Sequence, residues 1–421
     1  MKTRLFTAMA MAFTFCQSAL AQTDANGYTT VELTTGPQYQ NTVFFDFASN
    51  TMTSKEANAW DIAFFRNSSM DFGTRVNDAQ NILVYQASDD ADQWDNIDIA
   101  NLASWGSPLY NPDNTNAIND GAFEQGSATY GWGEYNGVNH HIEGNVIFVL
   151  KYPDNSYMKF MIMDYYGGYT FKYAKWSGTA WGETVTKTIA NGTDNAYFNY
   201  FSFTTGEKVA DYEPNKSWDL VFTRYWTFYN NIIMYRLSGA IQNSNITVAK
   251  VQPETQETST VTAPAASAYS QNITTIGHSW KPTSGVYSDV VYYVKEGSQY
   301  YRMYFTQNGG ATTGNMFFKY KNITDVLSVQ NVGDKASFGI YPNPAKADKK
   351  VTVLFDIKEK ADNKGAVQVF DMSGKKVYES ALTNQSGLYT QELNLQKLSA
   401  GVYLVKITYG GQSETKKLIV N

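Results

Sequence analysis

Apolar and polar residues alternate along most of the chain in short runs, a period of two that predicts β-strands with one face turned inward. Asn41-Thr-Val-Phe-Phe-Asp-Phe47, Trp60-Asp-Ile-Ala-Phe-Phe-Arg66, Val146-Ile-Phe-Val-Leu-Lys151 and Tyr169-Thr-Phe-Lys-Tyr173 are such runs, bounded by turn signals such as Asp154-Asn155 and Gly167-Gly168. The same series recurs about 150 residues later and in the same order: Tyr197-Phe-Asn-Tyr-Phe-Ser-Phe203, Trp218-Asp-Leu-Val-Phe-Thr-Arg224, Val290-Val-Tyr-Tyr-Val-Lys295 and Met316-Phe-Phe-Lys-Tyr320. The repeat predicts two related antiparallel β domains, over 28–192 and 195–327. In each Trp-Asp block, Trp60, Ile62 and Phe64, or Trp218, Leu220 and Phe222, are expected to fill one face of a sheet, with Asp61 and Arg66, or Asp219 and Arg224, off that face. The first repeat carries an insertion at about 77–128, read as an excursion from the sheet with a short helix near Ile97–Trp105; Gln252–Ala268 reads as a loop.

A third region, 335–421, has strand-like runs at Val351–Ile357, Ala366–Phe370, Lys376–Glu379, Gly401–Thr408 and Glu414–Val420. Asp371-Met-Ser-Gly374 joins two of them as a hairpin turn. About 80 residues of this pattern predict a small immunoglobulin-like sandwich, so the fold class is all-β throughout.

Composition narrows the picture. With 31 Tyr, 24 Phe, 9 Trp and only 17% charged residues the chain is neither disordered nor a coiled coil. Lys2 and Arg4, an apolar stretch from Leu5 to Phe15 and Ala19-Leu-Ala21 form a secretion signal over 1–21. It contains Cys16, the sole cysteine, so the mature chain is expected to hold no disulfide and no cysteine-based metal site. No other apolar run approaches the ~20 residues that span a bilayer. The net charge of −6 is unevenly distributed: residues 22–334 hold 18 basic and 31 acidic residues, and 335–421 hold 13 basic and 8 acidic. An acidic body repels a phosphate backbone, which excludes nucleic acid as a partner.

Catalytic signatures are absent: no His-Glu-x-x-His, Gly-x-Ser-x-Gly, phosphate loop or dinucleotide fingerprint occurs. Glu134 and Glu143 could pair as a glycosidase acid and base, but carboxylates are so frequent here that some close pair is inevitable. The Asp89–Asp98 cluster offers oxygen ligands for calcium without the glycine and terminal glutamate of an EF-hand, and reads as a solvated loop. The expectation is a binding protein and not an enzyme.

Two resemblances sharpen this. Residues 335–421 resemble the type A sorting domain of the type IX secretion system of Bacteroidetes, through Ile340-Tyr-Pro-Asn-Pro-Ala345, Val367-Gln-Val-Phe-Asp-Met-Ser-Gly-Lys-Lys-Val377, Leu398-Ser-Ala-Gly-Val-Tyr-Leu-Val-Lys-Ile407 and Lys416-Lys-Leu-Ile-Val420. This implies the secretion machinery as a partner and delivery to the outer-membrane surface or the medium. The two repeats resemble the HmuY-like haem-binding family, through the aromatic strand before each Trp-Asp block, Gly131-Trp-Gly-Glu-Tyr135, and the later strand and Phe-Lys-Tyr ending. That resemblance implies capture of haem, free or from a host haem-protein, between two axial His or Met side chains. His140 and His141 follow the Gly131–Tyr135 motif, and His278 stands in the equivalent region of the second repeat. If His140 and His141 lie in an extended strand, only one faces a given pocket. A second ligand would be His278 across the repeats or a methionine, with Met70, Met158, Met161, Met163 and Met303 as candidates. The alternative is a surface adhesin, or a glycan- or protein-binding module without haem ligands, using Trp132, Trp176, Trp181, Trp226, Tyr165, Tyr166, Tyr225 and Tyr229 as platforms.

Overall fold

The aromatic strand opening each repeat is buried on both faces, and each pairs with the other repeat. Leu220, Val221 and Phe222 lie antiparallel to Phe45, Phe44 and Val43; Phe198 to Phe201 lie antiparallel to Phe65 to Ile62. The computed structural model describes residues 23–66, 71–259, 261–324, 336–358, 360, 365–382, 386–409 and 412–421. The secretion signal, Cys16 and Met70 lie outside the described residues. Two compact units emerge, one holding both repeats and one the carboxyl-terminal region.

In the repeat unit the exchange of partners creates two four-stranded antiparallel sheets. One runs Glu207–Val209, Phe198–Ser202, Ile62–Phe65, Thr74–Val76; the other runs Ile233–Gln242, Leu220–Tyr229, Asn41–Asp46, Thr51–Glu56. Alternation then assigns each face. Val43, Phe45, Leu220 and Phe222 pack on Val294, Met303 and Phe318 of a five-stranded sheet. Ile62, Phe64 and Phe201 pack on Phe148, Phe160 and Phe171 of a seven-stranded sheet. The opposite faces contribute Phe44, Ala63, Phe65, Phe198, Tyr200 and Ile241 to a shared central core. Edge-to-face pairs such as Phe45–Phe318 at 5.1 Å and Phe171–Phe201 at 5.0 Å add directional contacts to this burial.

The tryptophans of the Trp-Asp blocks depart from expectation. Trp218 is buried in the central core and Trp60 packs against it, while Ile62, Phe64, Leu220 and Phe222 face outward into the two flanking cores. The strands begin at Ile62 and Leu220, so the period of two does not extend back to the tryptophans. The aspartates close a symmetric clasp. Asp61 N–H donates to Phe201 O and Asp219 N–H to Phe45 O, both at 2.8 Å. In return the Asp61 carboxylate accepts the Phe203 N–H at 2.6 Å, and Asp219 accepts the Phe47 N–H at 2.8 Å. Asn77 and Asn243 complete each corner, donating from Nδ2 to Trp60 O and Trp218 O at 2.7 and 2.8 Å.

The 77–128 insertion is only partly an excursion. Leu83–Ser88 is a strand of the seven-stranded sheet, paired with Ile147–Lys151. Beyond it, 3₁₀ turns at Ala91–Asn96 and Ile99–Ser104 are capped by Asp90 and Asp98, which accept from Asp92 N and Ala100 N. These turns seat Trp94 on the sheet, with Lys159 Nζ 4.4 Å from its ring centroid and 2.5 Å from its carbonyl oxygen. Gln252–Ala268 forms no strand in its described residues, and Glu254 within it binds the buried Arg302 at 2.6 Å.

The carboxyl-terminal unit is a sandwich of a three-stranded and a four-stranded antiparallel sheet. The runs read from sequence are all strands, joined by two further strands, Ala336–Tyr341 and the more polar Gly387–Asn394. Its core collects Val351, Val353, Val367, Val405, Ile407 and Leu418. At the Asp371 turn, Gly374 adopts φ +83° and Asp371 Oδ1 accepts from Ser373 N and Lys375 N at 2.9 and 3.1 Å.

Candidate functional site

The residues Gly131 to Gly144 build a hairpin of strands Gly133–Tyr135 and Ile142–Gly144. Gly131 takes φ +78°, where a Cβ would come within 2.3 Å of the Glu124 backbone, so only glycine fits. The turn drives the Trp132 indole fully into the flanking core, which removes it as a surface platform. His140 is not in a strand: it occupies the connecting turn with φ +65°, its Nδ1 2.5 Å from the Tyr135 hydroxyl. His141 Nδ1 lies 2.7 Å from Asp164 Oδ1, and its ring stacks on Tyr166 at 4.7 Å and 3°. With Nδ1–H donating to the carboxylate, the Nε2 lone pair of His141 is the one left to reach a ligand. Tyr135, Val138, Met163 and Tyr166 are exposed apolar side chains of these same segments.

His278 is placed differently. It is half-buried, its Nδ1 2.8 Å from the Tyr225 hydroxyl and its ring between Tyr225 and Tyr229. Burial, reinforced by Lys281, holds its pKa below the ordinary value. It shares no hydrogen-bond or ring partner with His140 or His141 among the described residues. Of the methionines weighed as second ligands, Met158, Met161 and Met303 fill cores, and Met163 is exposed.

The remaining candidates are engaged structurally. Glu134 and Glu143 face one another across the hairpin. Thr129 holds Glu134, and Asn139 with Asn136 holds Glu143, below the usual carboxylate range, so neither retains a proton to donate at neutral pH. Among the platform aromatics Tyr165 and Tyr225 are buried, Trp176, Trp181, Trp226 and Tyr229 are half-buried, and Tyr166 is exposed.

Two features escaped sequence reasoning. The first is a cavity of about 90 Å³ between the two four-stranded sheets. Phe44, Phe198, Trp60, Trp218 and Tyr200 give it an aromatic wall; Arg75, Asp78, Tyr212 and Arg224 give it polar groups. Only cross-repeat pairing brings these together, although the duplicated Trp-Asp blocks that supply both tryptophans were visible in the sequence. The second is the tip of the hairpin Leu220–Gln242, where Phe228, Ile232, Ile233 and Tyr235 are 50, 78, 58 and 54% exposed. A run of apolar residues in a long strand signals burial, and nothing local marks where the strand leaves its sheet.

No curated protein matches the chain. Residues 339–421 match the family described as the secretion system C-terminal sorting domain. The chain therefore carries a type IX sorting domain, and is exported by that system to the cell surface or the extracellular space.

Proposed function

We propose that the exported body acts by non-covalent binding, without catalysis, and captures haem or a related porphyrin at the Gly133–Gly144 hairpin with His141 as an axial ligand. One observation supports this reading above others: Asp164 and Tyr166 fix the His141 ring, leaving Nε2 available beside exposed apolar side chains. A carboxylate on the far nitrogen orients an imidazole ligand and raises its basicity, and a porphyrin needs apolar contact around a single nitrogen–iron bond. The donor set fits that need better than a bare metal, since no three metal-ligating side chains converge among the described residues. Titrating the mature protein with haemin is expected to give a shifted, sharpened Soret band that His141→Ala weakens more than His140→Ala. A spectrum identical to free haemin, or one unchanged in His141→Ala, overturns the reading.

The Leu220–Gln242 tip favours a second reading, adhesion to a protein partner. Four exposed apolar residues at one end of a hairpin match the anchors of binding hot spots. Saturable binding to a host-protein array is expected to fall at least tenfold in Phe228→Ser/Ile232→Ser; equal binding by that variant, or no hit on the array, rejects it.

A further inference from the structure

The central cavity has the features of a ligand site that neither the hairpin nor the tip explains. Its volume of about 90 Å³ is several times the roughly 10–15 Å³ that one water centre requires. Trp60, Ala79, Val221, Thr223 and Arg224 on its lining are partly exposed and mark its mouth, whereas Phe44, Phe198, Tyr200 and Trp218 behind them are buried. The aromatic groups are already locked against one another, with Phe44–Trp218 at 5.3 Å, Trp60–Tyr200 at 5.0 Å and Tyr200–Tyr212 at 4.7 Å. A cavity with such walls is pre-formed, and a ligand entering it orders little.

The polar groups of the lining are incompletely used. Tyr212 is 3% exposed, yet its hydroxyl makes no hydrogen bond of good geometry, although Thr42 and the Trp60 indole N–H converge on it. The Arg224 Nε donor is likewise buried and unmet. Arg224 spends one nitrogen on a 3.4 Å bond to Arg236 O and rests 5.4 Å from the Tyr39 ring. The groups that offset its desolvation are the phenols of Tyr39 and Tyr235, and no carboxylate. Asp78 is the one carboxylate on the lining; it accepts from Asn111 and is flanked by Arg75 and Arg236. Arg75 in turn donates to Ile118 O and Asp120 O at 3.0 and 2.7 Å. The lining at Arg224 and Tyr212 thus offers donors and positive charge with no carboxylate to neutralise them.

We propose that this cavity binds a small carboxylic acid with an aromatic or alicyclic body, the ring lying between the Trp60 and Trp218 walls and the carboxylate accepting from Arg224 and Tyr212. A planar guanidinium and a phenol together match a carboxylate, and apolar walls admit a ring and exclude a strongly hydrated inorganic anion. Because both repeats supply the walls, occupancy ties together the two four-stranded sheets and raises the stability of the whole repeat unit.

Calorimetric titration of the mature protein with phenylacetate and with cyclohexanecarboxylate tests this, with 2-phenylethanol, cyclohexylmethanol and inorganic phosphate as the uncharged and the ring-free counterparts. Saturable binding of at least one acid with a matching rise in melting temperature is expected, with the alcohols and phosphate at least tenfold weaker. Arg224→Gln is expected to weaken the acid at least tenfold. Val221→Phe, which narrows the mouth and leaves every charge in place, is expected to abolish binding in a protein that still melts cooperatively. Absence of saturable binding by both acids, equal binding by the alcohols, or unchanged affinity in both variants overturns the proposal.

Discussion

Deleting residues 336–421 is expected to stop the protein at the periplasm, with none reaching the cell surface. The two export signals are separate in the chain. The amino-terminal segment, Lys2 to Ala21, is expected to take the chain across the inner membrane and is untouched by the deletion. The sorting domain that directs the second step occupies residues 339–421, and is an independent sandwich with its own core. Its recognisable motifs are far apart in sequence and adjacent in space. Asn343, between the two prolines, accepts from Ile419 N at 3.0 Å and donates to Lys417 O at 2.7 Å, while Ala345 N donates to Ile419 O at 2.7 Å. The first motif therefore fastens the last strand, and a signal assembled this way exists only when the domain is folded. Asn343→Ala, which removes two of these three bonds, is expected to lower export without abolishing it. Fractionation with surface protease shaving measures both variants; normal surface display of the truncated chain would refute the assignment of export to this domain.

What the sequence disclosed and what it withheld follow one physical division. The period of two belongs to a single strand, so Ile62–Phe65, Leu220 to Arg224 and five of the seven strands of the sorting domain are legible as runs. Pairing is a property of two strands and is decided by which faces can be buried together. Nothing local indicates that Phe45 lies opposite Leu220, a partner from the other repeat. The central cavity, which exists only through that exchange, was invisible for the same reason. At the hairpin the residue types were readable and the geometry was not: His140 and His141 differ because one sits at a left-handed turn and the other beside Asp164. Trp132 looked like a platform because its neighbours are polar and glycine-rich, yet Gly131 turns it inward.

The clasp between repeats is expected to hold the body together, and its two aspartates to behave unlike surface carboxylates. In Asp61→Ala and Asp219→Ala the Phe203 and Phe47 N–H groups lose their acceptors; the Phe47 N–H is buried. An unmet buried donor costs about 1–3 kcal/mol, so Asp219→Ala should lose about that much, Asp61→Ala less because its donor is only partly buried, and the double variant a large share of the roughly 5–15 kcal/mol typical of a folded domain. Asparagine at either position keeps an acceptor oxygen and should lose far less. The pH dependence separates the roles further. Burial pushes the Asp219 carboxyl from 3.8 up to about 8, and burial raises Asp61 as well. A carboxyl raised on folding binds its proton more tightly in the native state, so its contribution is complete below about pH 4 and is lost as pH rises through 8. The melting temperature of the native chain should therefore fall between pH 5 and 8, a trend that Glu124, also raised to about 8 by burial, follows. Asp219→Asn has no proton to release and should flatten part of that fall, becoming the more stable chain at pH 8. Thermal melts of native, Ala and Asn chains at pH 5 and 8 decide the matter; matching losses in the Ala and Asn variants at both pH values would show that the clasp depends on neither the acceptor nor the proton.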